Sequence, residues 1–422
     1  MKSMEYANYL PDELLLEVLE YIEHWQTQQR QSTLARFCGV NRQWYDVAVR
    51  KLYEAPYLSG RAYEYFVRTV CPSVIAHIKP SSLSGLVRVL DLSHIVHNSN
   101  KATTARLLNR TKPSLEVFIA PQASFAINCW ASLSKCLRLR VLDLSLVSEC
   151  ISYQMLNQTI RQLPQLTELY LPRCSAQYGS NKETSPLNIR WPQLLQHLSL
   201  SGSVSGQFLW DMLRQKETFP PTLHSLSILH CPGLDHAGIK PLLLNVAETL
   251  TTLELRDLPA VKHGRFNGVL DWCPHIHTLC VALDYIDTRF GNMPDDWSPA
   301  RWEESKPLQT LTLVSSGQTS INPARSFTPV DLYALIDERF LGRLRYVNVA
   351  QSAEWGIEQD GAELGALEML LEDELDRENW EKRRWHYANV PEMGETWTYE
   401  RWKGETGMGR RMRPVLRVLK NR

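Results

Sequence analysis

The chain has no long apolar run, no excess of charge of either sign, and no pair of cysteines at metal-binding or redox spacing. Each hydrophobic stretch is interrupted by polar residues well short of the roughly 20 needed to span a bilayer, so no membrane partner is expected. Lys plus Arg and Asp plus Glu balance at 46 each, which removes any general attraction to nucleic acid or to an anionic surface. The nine cysteines are odd in number and contain no C-x-x-C pair, as suits a reducing compartment rather than a disulfide framework or a zinc knuckle. With no basic region leading into an apolar signal, the expected location is cytoplasmic or nuclear.

Catalytic signatures are equally scarce. Neither G-x-S-x-G nor H-E-x-x-H occurs. "GETGMG", residues 404–409, lacks the Lys-Ser/Thr ending of a phosphate loop and the strand–turn–helix setting of a dinucleotide fingerprint. "CPHIHTLC", residues 273–280, gathers Cys273, His275, His277 and Cys280, but the local periodicity sends Cys273 into a helix core and Cys280 onto a strand face, so no tetrahedral centre is expected. His94 and His97 lack a cysteine or acidic partner in register. The expectation is a protein without cofactor, metal or enzymatic activity of its own. A catalytic function hidden in the C-terminal segment remains open.

What is present is repetition. From residue 86 an apolar triplet recurs with the spacing apolar-x-x-apolar-x-apolar: "VRVLDL" at Val87, "LEVFIA" at Leu115, "LRVLDL" at Leu139, "LTELYL" at Leu166, "LQHLSL" at Leu195, "LHSLSI" at Leu223, "LTTLEL" at Leu250, "IHTLCV" at Ile276, "LQTLTL" at Leu308 and "LRYVNV" at Leu344. Successive starts lie 28, 24, 27, 29, 28, 27, 26, 32 and 36 residues apart, mostly near the period of about 20 to 29 of leucine-rich repeats. After the triplets the apolar spacing changes to three and four, as in Leu156, Ile160 and Leu163, or Ile239, Leu242, Leu243 and Val246, or Phe266, Val269, Leu270 and Cys273, or Leu332, Leu335, Ile336 and Phe340, which predicts a helix in each unit. Pro113, Pro164, Pro221 and Pro274 each stand two residues before the next start, where proline stops a helix and extends the chain.

This pattern resembles leucine-rich-repeat proteins, and "LSILHCPGLDHAGIKPLL", residues 226–243, resembles the cysteine-containing kind. The resemblance implies an α/β solenoid with parallel strands on a concave face and helices on a convex one. Period-two alternation then turns Glu168, Tyr170, His197, Glu254, Arg256, Thr278, Thr310, Tyr346 and Asn348 outward on the concave face, with Asp91, Asp143, Ser199, Ser225, Thr252 and Thr312. No nucleophile stands beside a base there, so the face reads as a surface for binding a protein substrate.

The first sixty residues differ. In "LPDELLLEVLEYI", residues 10–22, Pro11 suits a first helical position, and Asp12 and Glu13 suit the positive end of a helix dipole. Leu14, Val18 and Ile22 form one stripe, with Leu15 and Leu19 adjoining, while Leu14, Leu15 and Leu16 fan over roughly 200° and cannot share one core. Further on, Leu34, Phe37 and Cys38 and then Trp44, Val47, Ala48 and Leu52 suggest two more short helices, a small core for three elements. The leftover apolar face calls either for the chain's own core or for a partner.

Leu10-Pro11 with Glu13 and Leu14, then Val18-Leu19, Ile22, Val40, Arg42, Trp44 and Leu52, together resemble an F-box over about the first 55 residues. The departure is a polar stretch, "HWQTQQRQ" at residues 24–31, which lengthens the expected link after the first helix. The resemblance implies docking on the adaptor of a cullin-based (SCF) ubiquitin ligase. It carries adaptor contact to Leu10, Pro11, Leu14, Leu15, Val18 and Leu19, with Val40 and Trp44 as packing or contact residues. A repeat scaffold whose helices merely cap the array is the alternative.

The expected organisation is a helical module at 1–58, a linker or N-terminal cap at 59–85, repeats at 86–352, and a C-terminal helical cap with a basic tail at 353–422. The cap rests on the stripe Leu364, Leu367, Leu371 and Leu375 within "LGALEMLLEDELDRENWEKRRW". Trp397, Tyr399 and Trp402, followed by Arg410, Arg411, Arg413, Arg417, Lys420 and Arg422, read either as a solvated tail or as a site for an acidic or phosphate group.

Overall fold

The computed structural model describes residues 10–72, 81–95, 101–149, 151–172, 189–202, 204–214, 219–298, 304–317, 325–353, 355, 361–388, 398–399 and 415–419. His97, Cys150, Cys174, Trp397, Trp402, "GETGMG" and the basic residues Arg410, Arg411, Arg413, Lys420 and Arg422 lie outside them. The described residues fall into two compact units, one running to residue 172 with 189–198, the other beginning at residue 199.

The first unit opens with four helices: α1 (Asp12–Glu23), α2 (Thr27–Cys38), α3 (Arg42–Glu54) and α4 (Gly60–Val70). Strands and helices then alternate as β1 (Val89–Asp91), α5 (Lys101–Thr111), β2 (Val117–Ile119), α6 (Ile127–Leu133), β3 (Val141–Asp143), α7 (Tyr153–Ile160) and β4 (Glu168–Tyr170). The strands pair in parallel and in chain order, with Val89 beside Val117, Val117 beside Val141, and Val141 beside Glu168. Each strand is three residues long with a sealed centre: Leu90, Phe118, Leu142 and Leu169 are buried, the residues on either side of each are half-buried, and the alternation carries on past the strand to Leu92, Ala120, Leu144 and Leu171, which are buried too. The main-chain ladder starts before β1. Arg88 N–H donates to the Glu54 carbonyl at the end of α3 (2.9 Å), Glu116 N–H to Arg88 (2.8 Å), Arg140 N–H to Glu116 (2.7 Å) and Thr167 N–H to Arg140 (2.8 Å). The Arg88 side chain also reaches the carboxylates of Glu54 (3.4 Å) and Glu116 (3.6 Å).

Strand β5 (His197–Ser201) leads into the second unit, which contains α8 (Gly206–Leu213), β6 (Ser225–Leu229), α9 (His236–Val246), β7 (Thr252–Arg256), α10 (Val269–Trp272), β8 (Thr278–Ala282), β9 (Thr310–Val314), α11 (Pro329–Asp337), β10 (Tyr346–Ala350), α12 (Gly361–Ala388) and β11 (Val415–Leu419). Strands β6 to β11 are parallel and again follow chain order. His230 and Asp257, one residue past β6 and β7, both take left-handed backbone (φ 53 and 52) where Gly202 follows β5 (φ 73), so the chain leaves three successive strands by the same turn. The two non-glycine residues are linked, His230 Nδ1 lying 3.0 Å from Asp257 Oδ2.

The insertion between β8 and β9 replaces a regular repeat helix with irregular structure that is nonetheless packed. Phe290 meets Phe327 edge to face (5.3 Å), and Trp297 meets Phe340 (5.0 Å) while its indole N–H donates to the Glu338 carbonyl (3.0 Å). Only Val269–Trp272 of the expected helix around Phe266 forms; the six residues before it are turns, with Gly264 left-handed (φ 74).

At the C-terminal end α12 packs on α11, burying Leu367 and Leu371 completely and Leu364 and Leu375 in part. Its polar side chains are engaged too: Glu378 pairs with Arg345, Glu374 faces Arg339 (3.9 Å) and Arg377 (3.3 Å), and Tyr399 Oη donates to Asp373 (2.9 Å). Burial pushes the Glu374 carboxyl upward despite its arginines. Of the stretch read as a basic tail, Val415–Leu419 is a strand on β10, Val415 N–H donating to the Arg345 carbonyl (2.9 Å). The short run "VLRVL" has the apolar character for it, but stands too far from the last triplet to show in the repeat spacing.

The thiols of Cys136, Cys231, Cys273 and Cys280 are pushed up to about 12 by burial. Only on the order of one in ten thousand would then be thiolate at pH 8. Iodoacetamide at that pH should leave these four unlabelled in the native chain and modify them after urea unfolding, as peptide mass mapping would read.

Candidate docking surfaces

Helices α1, α2 and α3 build a small core from Leu15, Leu19, Ile22, Leu34, Phe37 and Ala48, with Cys38, Trp44, Val47 and Leu52 against it. Trp44 lies on Phe37 with ring centroids 4.2 Å apart, so it is first a packing residue. Asn41 caps α3 by accepting from Trp44 N–H (2.9 Å). Gln43 Nε2 donates to the Leu10 carbonyl (2.8 Å) and to Asp12 (2.7 Å), holding the start of α1 to the start of α3, and Lys51 pairs with Glu23 at the other end.

The polar stretch expected to lengthen the link is helical instead. Helix α2 begins at Thr27, and its first turns are fastened from the side: Gln31 donates to the Leu52 carbonyl (3.4 Å) and accepts from Tyr57 N–H (3.2 Å). Gln and Arg are good helix formers, a signal present in "TQQRQ" but hidden by its lack of apolar periodicity. Pro11 is the residue before α1 rather than its first residue, its carbonyl accepting from Leu14 N–H and Leu15 N–H.

Leu15 and Leu19 do not belong to a docking face. Both are 0% exposed, and with Ile22 they supply the α1 side of the core. At about 100° per residue, Leu15, Leu19 and Ile22 fall within a sector of about 60°, whereas Leu14 and Val18 lie some 60° to 100° away. Accordingly Leu14 and Val18 are each 46% exposed. Leu10, Pro11 and Val40 are exposed as well. The expected stripe of Leu14, Val18 and Ile22 therefore splits, Ile22 turning inward. Leu16 is exposed on the far side of the core sector. Tyr21, which sequence reasoning passed over, continues the line of Leu14 and Val18 on α1, and Trp25 is exposed just past the helix end.

The residues expected to face outward from the strands divide between the two units. In the first, Tyr170 Oη donates to Glu168 (3.0 Å), and the Tyr170 ring lies 4.7 Å from that of His197. In the second, Thr252, Thr278, Thr310 and Tyr346 stand side by side across β7 to β10, and Glu254, Cys280, Thr312 and Asn348 form the next row. Glu254 accepts from Ser227 Oγ (3.0 Å) and pairs with Arg256, and Asn348 donates to Thr312 (3.3 Å). The residues expected to face outward are half-buried except Tyr346, which is exposed, and Ser199, which is buried as is Ser227 beside Glu254, so both faces are polar, largely accessible and largely satisfied by their own neighbours. Cys273 turns its Sγ toward the Leu243 carbonyl (3.9 Å) while Cys280 lies in the row with Glu254, which separates the two ends of "CPHIHTLC". The His94 ring lies tilted against that of Tyr57, with centroids 5.0 Å apart. Among the described residues no group of three or more His, Cys, Asp or Glu is placed to hold a metal ion, and no helix is long and apolar enough to cross a membrane.

No family model matches the chain. It is similar to F-box protein YDR306C of Saccharomyces cerevisiae, 28% identical over 392 residues, which takes in 89% of this chain and 76% of the relative. It is also similar to Protein pof5 of Schizosaccharomyces pombe, 27% identical over 345 residues, covering 81% of this chain and 89% of the relative. The name of the first relative supports an F-box relationship for this chain.

The division of the leucines has a direct consequence for local stability. Leu15→Ala or Leu19→Ala should cost about 2 to 5 kcal/mol of the opening free energy of α1 to α3, while Leu14→Ala and Val18→Ala should stay within about 0.5 kcal/mol. Native-state hydrogen exchange of the α1 to α3 amides would measure both.

Proposed function

We propose that this chain is the substrate-recognition subunit of an SCF-type ubiquitin ligase. Leu10, Pro11, Leu14, Val18 and Val40 dock on the adaptor, which links the chain to a cullin, and Trp44 supports that face from within the bundle. The strand–helix units are a leucine-rich-repeat array, and its outward strand residues, Glu168, Tyr170, His197, Glu254, Arg256, Thr278, Thr310, Tyr346 and Asn348, bind a protein substrate. The protein carries out no chemistry itself. Tethering raises the effective concentration of substrate lysines near a ubiquitin-charged enzyme, which accelerates transfer without any catalytic group on this chain. The setting is cytoplasmic or nuclear.

One observation carries this reading: the bundle has a filled core and still exposes a continuous apolar line on α1. An apolar patch on a module of this size is costly in water and is relieved by a partner. The name of the budding-yeast relative supports the choice of partner. A second reading, a repeat scaffold outside ubiquitination, is favoured by the hydrogen bond from Arg88 to Glu54, which makes the bundle the first rung of the strand ladder as a cap would be.

Capture of the purified adaptor subunit of the budding-yeast SCF ligase by the full chain separates the two. Leu14→Asp with Val18→Asp should abolish capture while leaving the melting curve in place, and Leu16→Asp should leave capture intact. Retained capture by the double variant would contradict the docking face. On the substrate side, Glu254→Lys with Tyr346→Ala should preserve adaptor capture and cause substrates to accumulate in cells, as quantitative proteomics against a deletion would detect.

A further inference from the structure

The strand face of the first unit carries more than the polar residues expected on it. The residues flanking the buried centres of β1, β2 and β3 are half-buried, and the register sets them in two rows. One row is aliphatic, with Val89, Val117 and Val141 side by side. The next holds Asp91, Ile119 and Asp143, so an isoleucine separates two carboxylates. Neighbouring strands lie about 4.8 Å apart, which puts the two aspartates roughly 10 Å from each other across Ile119. Four aliphatic side chains thus share a patch whose edge, where the strands end, is acidic.

The charge at that edge is unanswered. Each aspartate spends one carboxylate oxygen on the N–H two residues on, Asp91 on Ser93 (2.9 Å) and Asp143 on Ser145 (2.8 Å), and among the described residues neither meets a cation. Beside Val141, Glu168 adds a third carboxylate, which accepts from the neutral Tyr170 phenol (3.0 Å). The arginines stand at the opposite edge, where the strands begin: Arg88 precedes Val89 and is held by Glu54 and Glu116, and Arg140 precedes Val141. The second unit differs, because there Glu254 is paired with Arg256 and the row beside it is threonine.

We propose that this face grips a short substrate segment in which Lys or Arg residues flank an aliphatic one. This rests on the proposed function, whose substrate it describes. Charge complementarity chooses the occupant: a neutral segment would cover the valines and leave the carboxylates unmatched, and an acidic one would be repelled. Lys and Arg carry aliphatic stems close in length to the two-residue step of roughly 7 Å from Val89 to Asp91, so each lies along a valine while its head reaches an aspartate. An extended segment advances about 3.3 Å per residue, so basic residues two to four apart span roughly 7 to 13 Å and bracket the distance between the carboxylates. The aliphatic residue between them meets Val117 and Ile119.

The full chain is tested against an immobilised library of nine-residue peptides in which each position in turn is fixed to one amino acid. Wild-type protein should select Lys or Arg on both sides of Ile, Leu or Val. The best peptide should then lose about threefold to tenfold in affinity to Asp91→Asn with Asp143→Asn, as two exposed ion pairs are worth. Asparagine keeps an oxygen for the Ser93 and Ser145 N–H groups, so the turns after β1 and β3 are retained. Val117→Thr should weaken binding about threefold through the lost methyl, and raising salt from about 50 to about 500 mM should weaken the wild-type complex by a factor like that of the asparagine pair. Selection of acidic or uncharged segments, no selection at all, or an affinity that neither salt nor the asparagine pair changes by more than twofold would overturn the inference. Should the asparagine pair lower the melting temperature, the salt dependence of the wild-type complex decides. Adaptor capture by the same preparation reads the proposed function separately: capture without basic selection leaves that function standing and removes this site, and basic selection without capture supports the site and contradicts the ligase.

Discussion

One constraint runs through the strands of both units: the apolar side chains of one phase are sealed, and the positions between them are mostly half-open, with Ser199, Ser201 and Ser227 of β5 and β6 buried as well. Because the side-chain period of a strand is two, moving any strand by a single residue would exchange its Leu, Phe or Val for the polar set beside it. Register is therefore held by burial, and parallel pairing transmits it from strand to strand. The rows of threonine and of Glu254, Cys280, Thr312 and Asn348 follow from that alone. The outward face is thus a by-product of the core, free to vary in chemistry as long as the inward positions stay apolar.

Much of this was legible in the amino-acid order, because burial in a strand and burial in a helix leave different spacings. The triplets from Val87 to Leu344 each lead into or overlap a strand, and Ile239, Leu242, Leu243 and Val246 form the buried side of α9. Legibility failed where stability comes from something other than apolar period. Helix α2 starts within a polar run and is held laterally by Gln31. Around Phe266 the apolar spacing is helical, but Gly264 turns the chain left-handed and Asn267 hydrogen-bonds Asp287 (2.6 Å), giving a packed turn instead. Strand β11 pairs with β10 across a long intervening segment, a contact that no local window contains.

The exposed face of α1 shows a different limit. Five adjacent apolar positions on α1, Leu14, Leu15, Leu16, Val18 and Leu19, could each be assigned to a core or to a partner, and the family resemblance assigned four of them to the partner. Packing divides them otherwise, with Leu15 and Leu19 inside and Leu14 and Val18 outside. A helix alone cannot say where its core sector is centred; that is decided by α2 and α3, whose Leu34, Phe37 and Ala48 meet α1 on one side only. Tyr21 is exposed for the same reason, since it falls outside the sector that α2 and α3 cover.

The bond between Arg88 and Glu54 has a mechanical side. A helical module strung on a slack tether would sweep through a wide range of orientations, whereas this one is stitched by main chain and by the Arg88 guanidinium to the first strand. Anything seated on α1 is consequently held at a set offset and angle from β1 through β4. Whatever those strands hold would then meet whatever α1 holds across a fixed separation, so that the spacing of the two is set by the main chain and not by a tether's length.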